Sequence, residues 1–285
     1  VTANTGGYPQ GFYEFLRLFA TQHLGPSVII MRMVVWTLTS GLWLAMALII
    51  PIRSRLRLIV VCLTAMVPLG LFLSTSTNPS AALITGIPVS VLVAANGPSP
   101  SVRRGVAAMA ICVTAALFAV FSRADAPFLL VLGLAAVLAW RIPQWRLWRH
   151  WVVYPALLLA ITVLGFFVGG HQASALSSGL SPGQGGQPPS LRAVMLELPT
   201  YFVGTWSTTL GYVDVPMPPI VWAPIAVVLS FFAVSGLASW HWSKGLSVGG
   251  LVIAQIGALV YLQTNTACCT IQTRYFLPLT ITWLA

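Results

Sequence analysis

Nearly the whole chain consists of apolar runs that are separated by short polar connections. A helix that crosses a bilayer needs about 20 predominantly apolar residues, which is close to the length of most of these runs. Only 6% of the 285 residues are charged, whereas a soluble domain carries about 25% charged residues. The sequence therefore predicts an all-α, polytopic membrane protein that folds as a transmembrane helical bundle.

The apolar runs predict about nine crossings within a single domain that covers residues 1–285. They lie at 28–50, 58–74, 81–96, 105–121, 127–140, 152–170, 218–238, 246–264 and from 275 onward. The runs at 81–96 and 127–140 are short for a crossing, and losing either one would reverse every later segment. Both ends of the sequence look cut, so we interpret the chain as a fragment.

The positions of the basic residues predict the orientation. Nine of the 14 Lys and Arg residues fall in the connections 53–57, 102–104, 141–150 and 241–244. Basic connections stay in the cytoplasm, so the long polar segment 171–217 is assigned to the extracytoplasmic side. The same assignment places the four acidic residues outside: Glu14, Asp125, Glu197 and Asp214.

This distribution of charge argues against nucleic-acid binding and against ion-coupled transport. The net charge of +10 does not indicate nucleic acid, because the basic residues mostly occupy short loops between spans. No acidic residue lies deep in a span, so a proton or sodium relay has no obvious carrier. The sequence contains no Ser–His–Asp arrangement and no metal-ligand spacing. Cys62 and Cys112 fall inside apolar runs and are interpreted as small core residues.

Two stretches outside the apolar runs are amphipathic. Residues 8–26 place apolar side chains such as Phe12 and Leu16 at near-helical spacing, which predicts a helix. This helix would lie either in the membrane interface or against the next span. The stretch around Glu197 predicts a second interfacial helix within the loop 171–217.

The carboxylates and arginines of the outer side are the candidates for chemistry. Asp125 follows Arg123 by two residues at a predicted helix start. This pair is interpreted either as a helix cap with a local ion pair or as a guanidinium that faces a phosphate. Asp214, before Pro216, is either a turn-capping residue or a placed carboxylate. Arg274 either anchors to lipid headgroups or binds the phosphate of a lipid carrier.

Five short motifs then follow in one order along the chain. They are MRMVVWTL (31–38), STSTNPS (74–80), SRADAP (122–127), LGYVDVPMP (210–218) and TRYFLPL (273–279). In this order they resemble a bacterial domain-of-unknown-function family, number 2142, whose polytopic members look related to the GT-C glycosyltransferases. Asn78, Asp214 and the pair Arg274–Tyr275 match the Asn-Pro, Asp-before-proline and Arg-Tyr positions of that family.

The resemblance implies a GT-C-like enzyme of the bacterial plasma membrane. It would move a sugar from a polyprenyl-phosphate donor to a cell-envelope glycan or lipid acceptor on the outer face. For such an enzyme the sequence offers Arg123, Arg274 and Arg32 as donor-phosphate-binding residues and Asp214 and Asp125 as catalytic residues. Asn78, Glu197 and Tyr275 are the candidates for loop or acceptor contacts. The principal catalytic carboxylate of such enzymes lies in a first outer loop that would precede this fragment. The implied partners are membrane lipids, the lipid-linked sugar donor, the glycan or lipid acceptor and proteins of envelope synthesis, and metal dependence stays open.

Two other classes of function also stay open. A transporter or flippase of lipid-linked glycans would show inverted repeats or paired broken helices, and the sequence shows no internal repeat. A non-catalytic subunit of an envelope-synthesis complex would tolerate loss of the outer carboxylates and of Arg123 and Arg274. An enzyme would lose its activity with the same substitutions.

Overall fold

The computed structural model describes residues 10–66, 69–96, 101–144, 152–168, 190–196, 218–237, 241–265 and 277–284. Every extended regular element within these ranges is a helix, so the predicted all-α class is confirmed. The labelled helices are α1 (Gln10–Arg17), α2 (Leu24–Ile49), α3 (Ile52–Met66), α4 (Leu69–Ser74), α5 (Ser80–Asn96), α6 (Val102–Val120), α7 (Ala126–Arg141), α8 (Val153–Val168), α9 (Pro219–Leu237), α10 (Trp242–Asn265) and α11 (Leu277–Leu284). Residues 191–196 are also helical.

Three of these helices are long and apolar enough to cross a bilayer, namely α2, α6 and the part of α10 at Trp242–Tyr261. Shorter apolar helices accompany them at Ser80–Asn96, Ala126–Arg141, Val153–Phe167 and Ala223–Gly236. Each of the predicted runs contains a helix. The number of nine crossings stays a prediction.

Helix α5 forms the centre of the described bundle. Each residue from Ser80 to Ala95 is buried, and α2, α4, α6, α7 and α11 all pack on it. A helix that is apolar on every side has no face to offer to water, so it takes the interior position. Cys62 and Cys112 are also buried, as the sequence predicts.

Small residues bring α5 close to its neighbours. A Cβ atom added to Gly86 would lie 2.7 Å from the Cβ atom of Ala119, and it would also collide with the carbonyl oxygen of Ala115. A Cβ atom on Gly133 of α7 would lie 2.5 Å from Cγ2 of Val91. Glycine at these positions therefore permits the close helix contacts that are typical of membrane bundles.

Helix α1 resolves the choice between the two interpretations of the first amphipathic stretch. Phe12 and Leu16 are buried against a cluster that includes Val35 of α2 and Ala81 of α5. The amide of Phe12 also donates a hydrogen bond of 3.1 Å to the carbonyl oxygen of Phe121. The packing interpretation is therefore confirmed, because the apolar face of α1 is covered by the bundle.

Alternate connections lie at the same end of the bundle. The connections 75–79 and 121–125 meet where the side chain of Arg123 reaches Ser80 at a distance of 3.1 Å. We name this side, together with the start of α2, the Arg123 end. The sequence predicts both connections on one side of the membrane, and the structure places them together.

The opposite side is named the Arg141 end. There Nη2 of Arg141 donates to the carbonyl oxygen of Ala95, and the hydroxyl of Tyr154 donates to the carbonyl oxygen of Gly105 at 2.8 Å. These bonds join the end of α5, the start of α6, the end of α7 and the start of α8. Which of the two ends faces the cytoplasm stays a prediction.

Candidate functional site at the Arg123 end

The connection between α4 and α5 is a turn built around Asn78. Its Oδ1 atom accepts a hydrogen bond of 2.9 Å from the amide of Ser80, and its carbonyl oxygen accepts one of 2.9 Å from the amide of Ala81. Asparagine favours such local bonds, and the following Pro79 disfavours a helical conformation at Asn78. The side chain of Asn78 thus sets the point at which α5 begins.

The connection between α6 and α7 holds a buried ion pair. Arg123 is only 8% exposed. Its Nε and Nη2 atoms donate to the two carboxylate oxygens of Asp125 at 2.8 and 2.9 Å. Its Nη1 atom donates to the Ser80 hydroxyl at 3.1 Å. The guanidinium therefore ties the start of α7 to the start of α5.

This geometry matches the local ion pair that the sequence predicts, but not the predicted cap. Asp125 occupies the residue before α7, yet its side chain makes no capping hydrogen bond. Both of its oxygens are engaged by Arg123 instead. A buried guanidinium requires such compensation, because an uncompensated charge is costly to bury.

Arg32 belongs to the same end but has a different environment. It is exposed, and its Nε atom donates a hydrogen bond of 2.9 Å to the carbonyl oxygen of Thr75. That carbonyl follows the last residue of α4, where helix carbonyls lack partners within the helix. Neither Nη atom of Arg32 makes a hydrogen bond with the described residues. The Nε bond therefore orients the side chain of Arg32, and its Nη N–H groups have no hydrogen-bond partner among the described residues.

The structure brings Arg32, Asn78, Arg123 and Asp125 to one end of the bundle. The other predicted site residues lie outside the described residues: Glu197, Asp214, Arg274 and Tyr275. Their roles stay predictions, as do the catalytic role of Asp125 and the acceptor contact of Asn78.

Sequence reasoning missed Ser80 and Thr75 as members of this site. Ser80 is buried and bonds to Arg123 across 43 positions of sequence, and Thr75 contributes only a backbone oxygen. Both residues belong to the STSTNPS motif, which is the one signal that could have pointed to them. In the part of the chain that the structure describes, no three His, Cys, Asp or Glu side chains group as a metal site.

Comparison with known proteins identifies one family whose model matches this chain. The family model described as "Predicted membrane protein (DUF2142)" matches residues 1–282. The comparisons found no matching curated protein and no matching solved structure. The resemblance that the motifs indicate is thereby confirmed at the level of this family. Because the match covers almost the whole length and the described helices are apolar, the chain belongs to the DUF2142 family of predicted membrane proteins.

Proposed function

We propose that this chain is part of a GT-C-type membrane glycosyltransferase of the bacterial plasma membrane. It takes a sugar from a polyprenyl-phosphate donor and transfers it to a cell-envelope glycan or lipid acceptor on the outer face. Two observations support this proposal: the order of the five motifs along the chain, and the arginine and carboxylate side chains at the Arg123 end.

The observation that carries the proposal is the meeting of three motifs at that end. Arg32 comes from MRMVVWTL, Asn78 from STSTNPS and Arg123 from SRADAP, and their contacts join α2, α4, α5 and α7. Glycosyl transfer from a phosphate donor needs fixed cationic donors near the departing phosphate. It also needs a carboxylate that accepts the proton of the acceptor hydroxyl.

The contacts suggest a division of roles between the two arginines. Arg32 suits the donor phosphate, because its Nε bond orients the guanidinium while its Nη atoms make no bond within the described residues. Arg123 suits a supporting role, since Asp125 and Ser80 already engage it. Asp214, Arg274 and Tyr275 join the site in this proposal through their motif positions, and Glu197 joins it as a carboxylate of the segment 171–217.

The test is sugar transfer by purified full-length protein in lipid nanodiscs. The donors are radiolabelled sugars on polyprenyl phosphate, and the acceptor is a cell-envelope fraction. Arg32→Gln is expected to slow label transfer by about 100-fold, the effect of removing one fixed donor from a developing anion. The matched control is Arg103→Gln, an exposed arginine at the start of α6 and therefore at the Arg141 end.

Failure of the wild-type protein to transfer label from any of these donors would refute the enzyme proposal. If the protein instead moves an intact lipid-linked sugar across a vesicle membrane, it is a transporter. If it does neither and the outer substitutions leave envelope synthesis intact, the non-catalytic subunit is the correct class.

A further inference from the structure

Helix α1 is attached to the bundle by a small set of contacts. Within residues 11–17, only Phe12 and Leu16 are buried. The amide of Phe12 donates a hydrogen bond of 3.1 Å to the carbonyl oxygen of Phe121. The ring of Phe12 packs on Phe118 of α6, with 6.4 Å between the two ring centroids. A helix with so few buried contacts belongs to the parts of a fold that open most easily.

The contacts of α1 flank the hydrogen bond between Arg123 and Ser80 on both sides. The apolar face of α1 packs against Ala81, the residue that follows Ser80. Gly11 approaches the other partner, because a Cβ atom added to it would lie 3.1 Å from the Cβ atom of Phe121. Phe121 precedes Arg123 by two residues. In its docked position α1 therefore adjoins both ends of this buried bond.

The membrane environment lowers the cost of undocking α1. Lipid tails are as apolar as the side chains of the bundle, so apolar contact between helices in a bilayer gains little from the hydrophobic effect. A short amphipathic helix also lies stably in the membrane interface, with its apolar face toward the acyl chains. Phe12 and Leu16 can therefore exchange the bundle for lipid. The polar side of α1, where Glu14 pairs with Arg17, is exposed in either position.

The connection from α1 to α2 contains a fixed point. The amide of Thr21 donates to the Ser27 hydroxyl at 2.7 Å, and this hydroxyl lies 2.8 Å from the carbonyl oxygen of His23. Ser27 is buried in the first turn of α2. The backbone amides of residues 18–20 bond back to α1 instead. A movement of α1 would thus pivot before Thr21 and leave α2 in place.

We infer that α1 is a gate at the Arg123 end, which exchanges between its docked position and the membrane interface. The docked helix covers Ala81 and adjoins the bond between Arg123 and Ser80. The undocked helix uncovers the start of α5 to water and to lipid headgroups. The inference concerns access to this end of the bundle, and it does not rest on the proposed function.

The test measures how fast a water-soluble maleimide labels Ala81→Cys. The full-length protein is held in lipid nanodiscs and carries no native cysteine. Ala81 is fully buried in the cluster with Phe12, so the reporter reacts only while α1 is undocked. Ala94→Cys is the control reporter, because Ala94 is buried in the part of α5 that packs away from α1.

Two variants are expected to favour the undocked position. Gly11→Val should speed the labelling of Ala81→Cys about tenfold, because its side chain collides with Phe121. Phe12→Ala should have a similar effect, since it removes the aromatic contact with α6. The matched control is Gly41→Val in α2, where an added Cβ atom meets nothing within 4 Å. This control is expected to leave the labelling rate unchanged.

A disulfide that fixes α1 on the bundle supplies the opposite change. Gly11→Cys and Phe121→Cys suit this purpose, because a small shift gives the Cβ–Cβ separation of a disulfide, about 3.8 Å. The disulfide is expected to slow the labelling of Ala81→Cys at least tenfold, and its reduction should restore the rate. Mass spectrometry of the peptide that contains residue 81 separates this label from labels on the two other cysteines.

The gate is supported if the two undocking variants accelerate labelling at residue 81 and the disulfide suppresses it. It is overturned if neither Gly11→Val nor Phe12→Ala accelerates labelling, or if the disulfide leaves the rate unchanged. Equal acceleration at Ala94→Cys would show that the whole bundle opens, which also overturns the gate. If both undocking variants fail to fold, the disulfide decides. No arm of the test requires sugar transfer, so the gate and the proposed function fail independently.

Discussion

At the scale of single residues, two arginines at one end of the bundle have different electrostatic environments. Arg123 is buried and its charge is compensated by Asp125, with Ser80 as a further acceptor. Arg32 is exposed and bonds to a carbonyl oxygen that carries no net charge. Loss of the carboxylate partner would therefore leave a buried, uncompensated charge at Arg123, which is destabilising. The exposed guanidinium of Arg32 instead suits charge-assisted hydrogen bonds to an anion.

Asp125→Asn tests this compensation. It is expected to lower the free energy of unfolding by about 2 kcal/mol, because the buried guanidinium of Arg123 loses its charged acceptor. Combining Asp125→Asn with Arg123→Gln is expected to cost less than the sum of the two single changes. Denaturant unfolding in detergent micelles measures the four free energies.

Glu14→Gln is the control for this cycle. Glu14 pairs with Arg17 at 3.4 Å, and both side chains are mostly exposed. An exposed pair of this kind contributes about 0.5 kcal/mol. Strictly additive losses in the Arg123–Asp125 cycle would contradict the compensation argument.

At the scale of helices, the contact between α5 and α6 determines how closely the bundle packs. Gly86 faces the backbone of α6 at Ala115 with no space for a Cβ atom. Gly41, on the exposed side of α2, has nothing within 4 Å of such an atom. The two glycines therefore have opposite tolerance for the same added methyl group.

Gly86→Ala is expected to destabilise the protein by about 1–3 kcal/mol, because the methyl group forces α5 and α6 apart. Gly41→Ala is expected to be neutral or stabilising by up to about 1 kcal/mol, since alanine favours the helical conformation. Thermal unfolding in the same detergent compares the two variants. A neutral Gly86→Ala would show that the helices separate at little cost.

At the scale of the whole molecule, the two ends of the described bundle carry different charged residues. The ion pair of Asp125 lies at the Arg123 end, and Arg141 and the exposed Arg103 lie at the other end. The positive-inside rule assigns the Arg141 end to the cytoplasm. This assignment stays a prediction that labelling in cells decides.

Single cysteines at Ser101 and Ser181 test the topology in a background without the four native cysteines. Ser101 is exposed next to the start of α6, and Ser181 belongs to the segment 171–217, outside the described residues. A membrane-impermeant maleimide is expected to label Ser181→Cys in intact cells and Ser101→Cys only after permeabilisation. The reverse pattern would invert the orientation and move the Arg123 end to the cytoplasm.

Much of the architecture could be predicted from the sequence because hydrophobic length is a local property. A run of about 20 apolar residues predicts a helix wherever it occurs. Each run contains one, and the short run at 81–96 became the central helix α5. Successive connections lie at opposite ends of the bundle because each apolar run is long enough to carry the chain from one end to the other.

The candidate site could be predicted only in part, because its contacts join distant residues. The proximity of Arg123 and Asp125 in sequence indicated their ion pair, yet the bond from Arg123 to Ser80 spans 43 positions. The bond from Arg32 to Thr75 likewise spans 43 positions and uses a backbone oxygen. No spacing rule in the sequence indicates such a contact.

By itself, therefore, the sequence determined the helical class, the membrane-like composition and the order of the motifs. Only the tertiary structure decided that α1 packs on the bundle, that Arg123 is buried against Ser80 and that the carbonyl oxygen of Thr75 orients Arg32. The physical reason is that apolar length acts within one segment. Burial and charge compensation instead depend on which segments the packing of glycine and other small residues brings together.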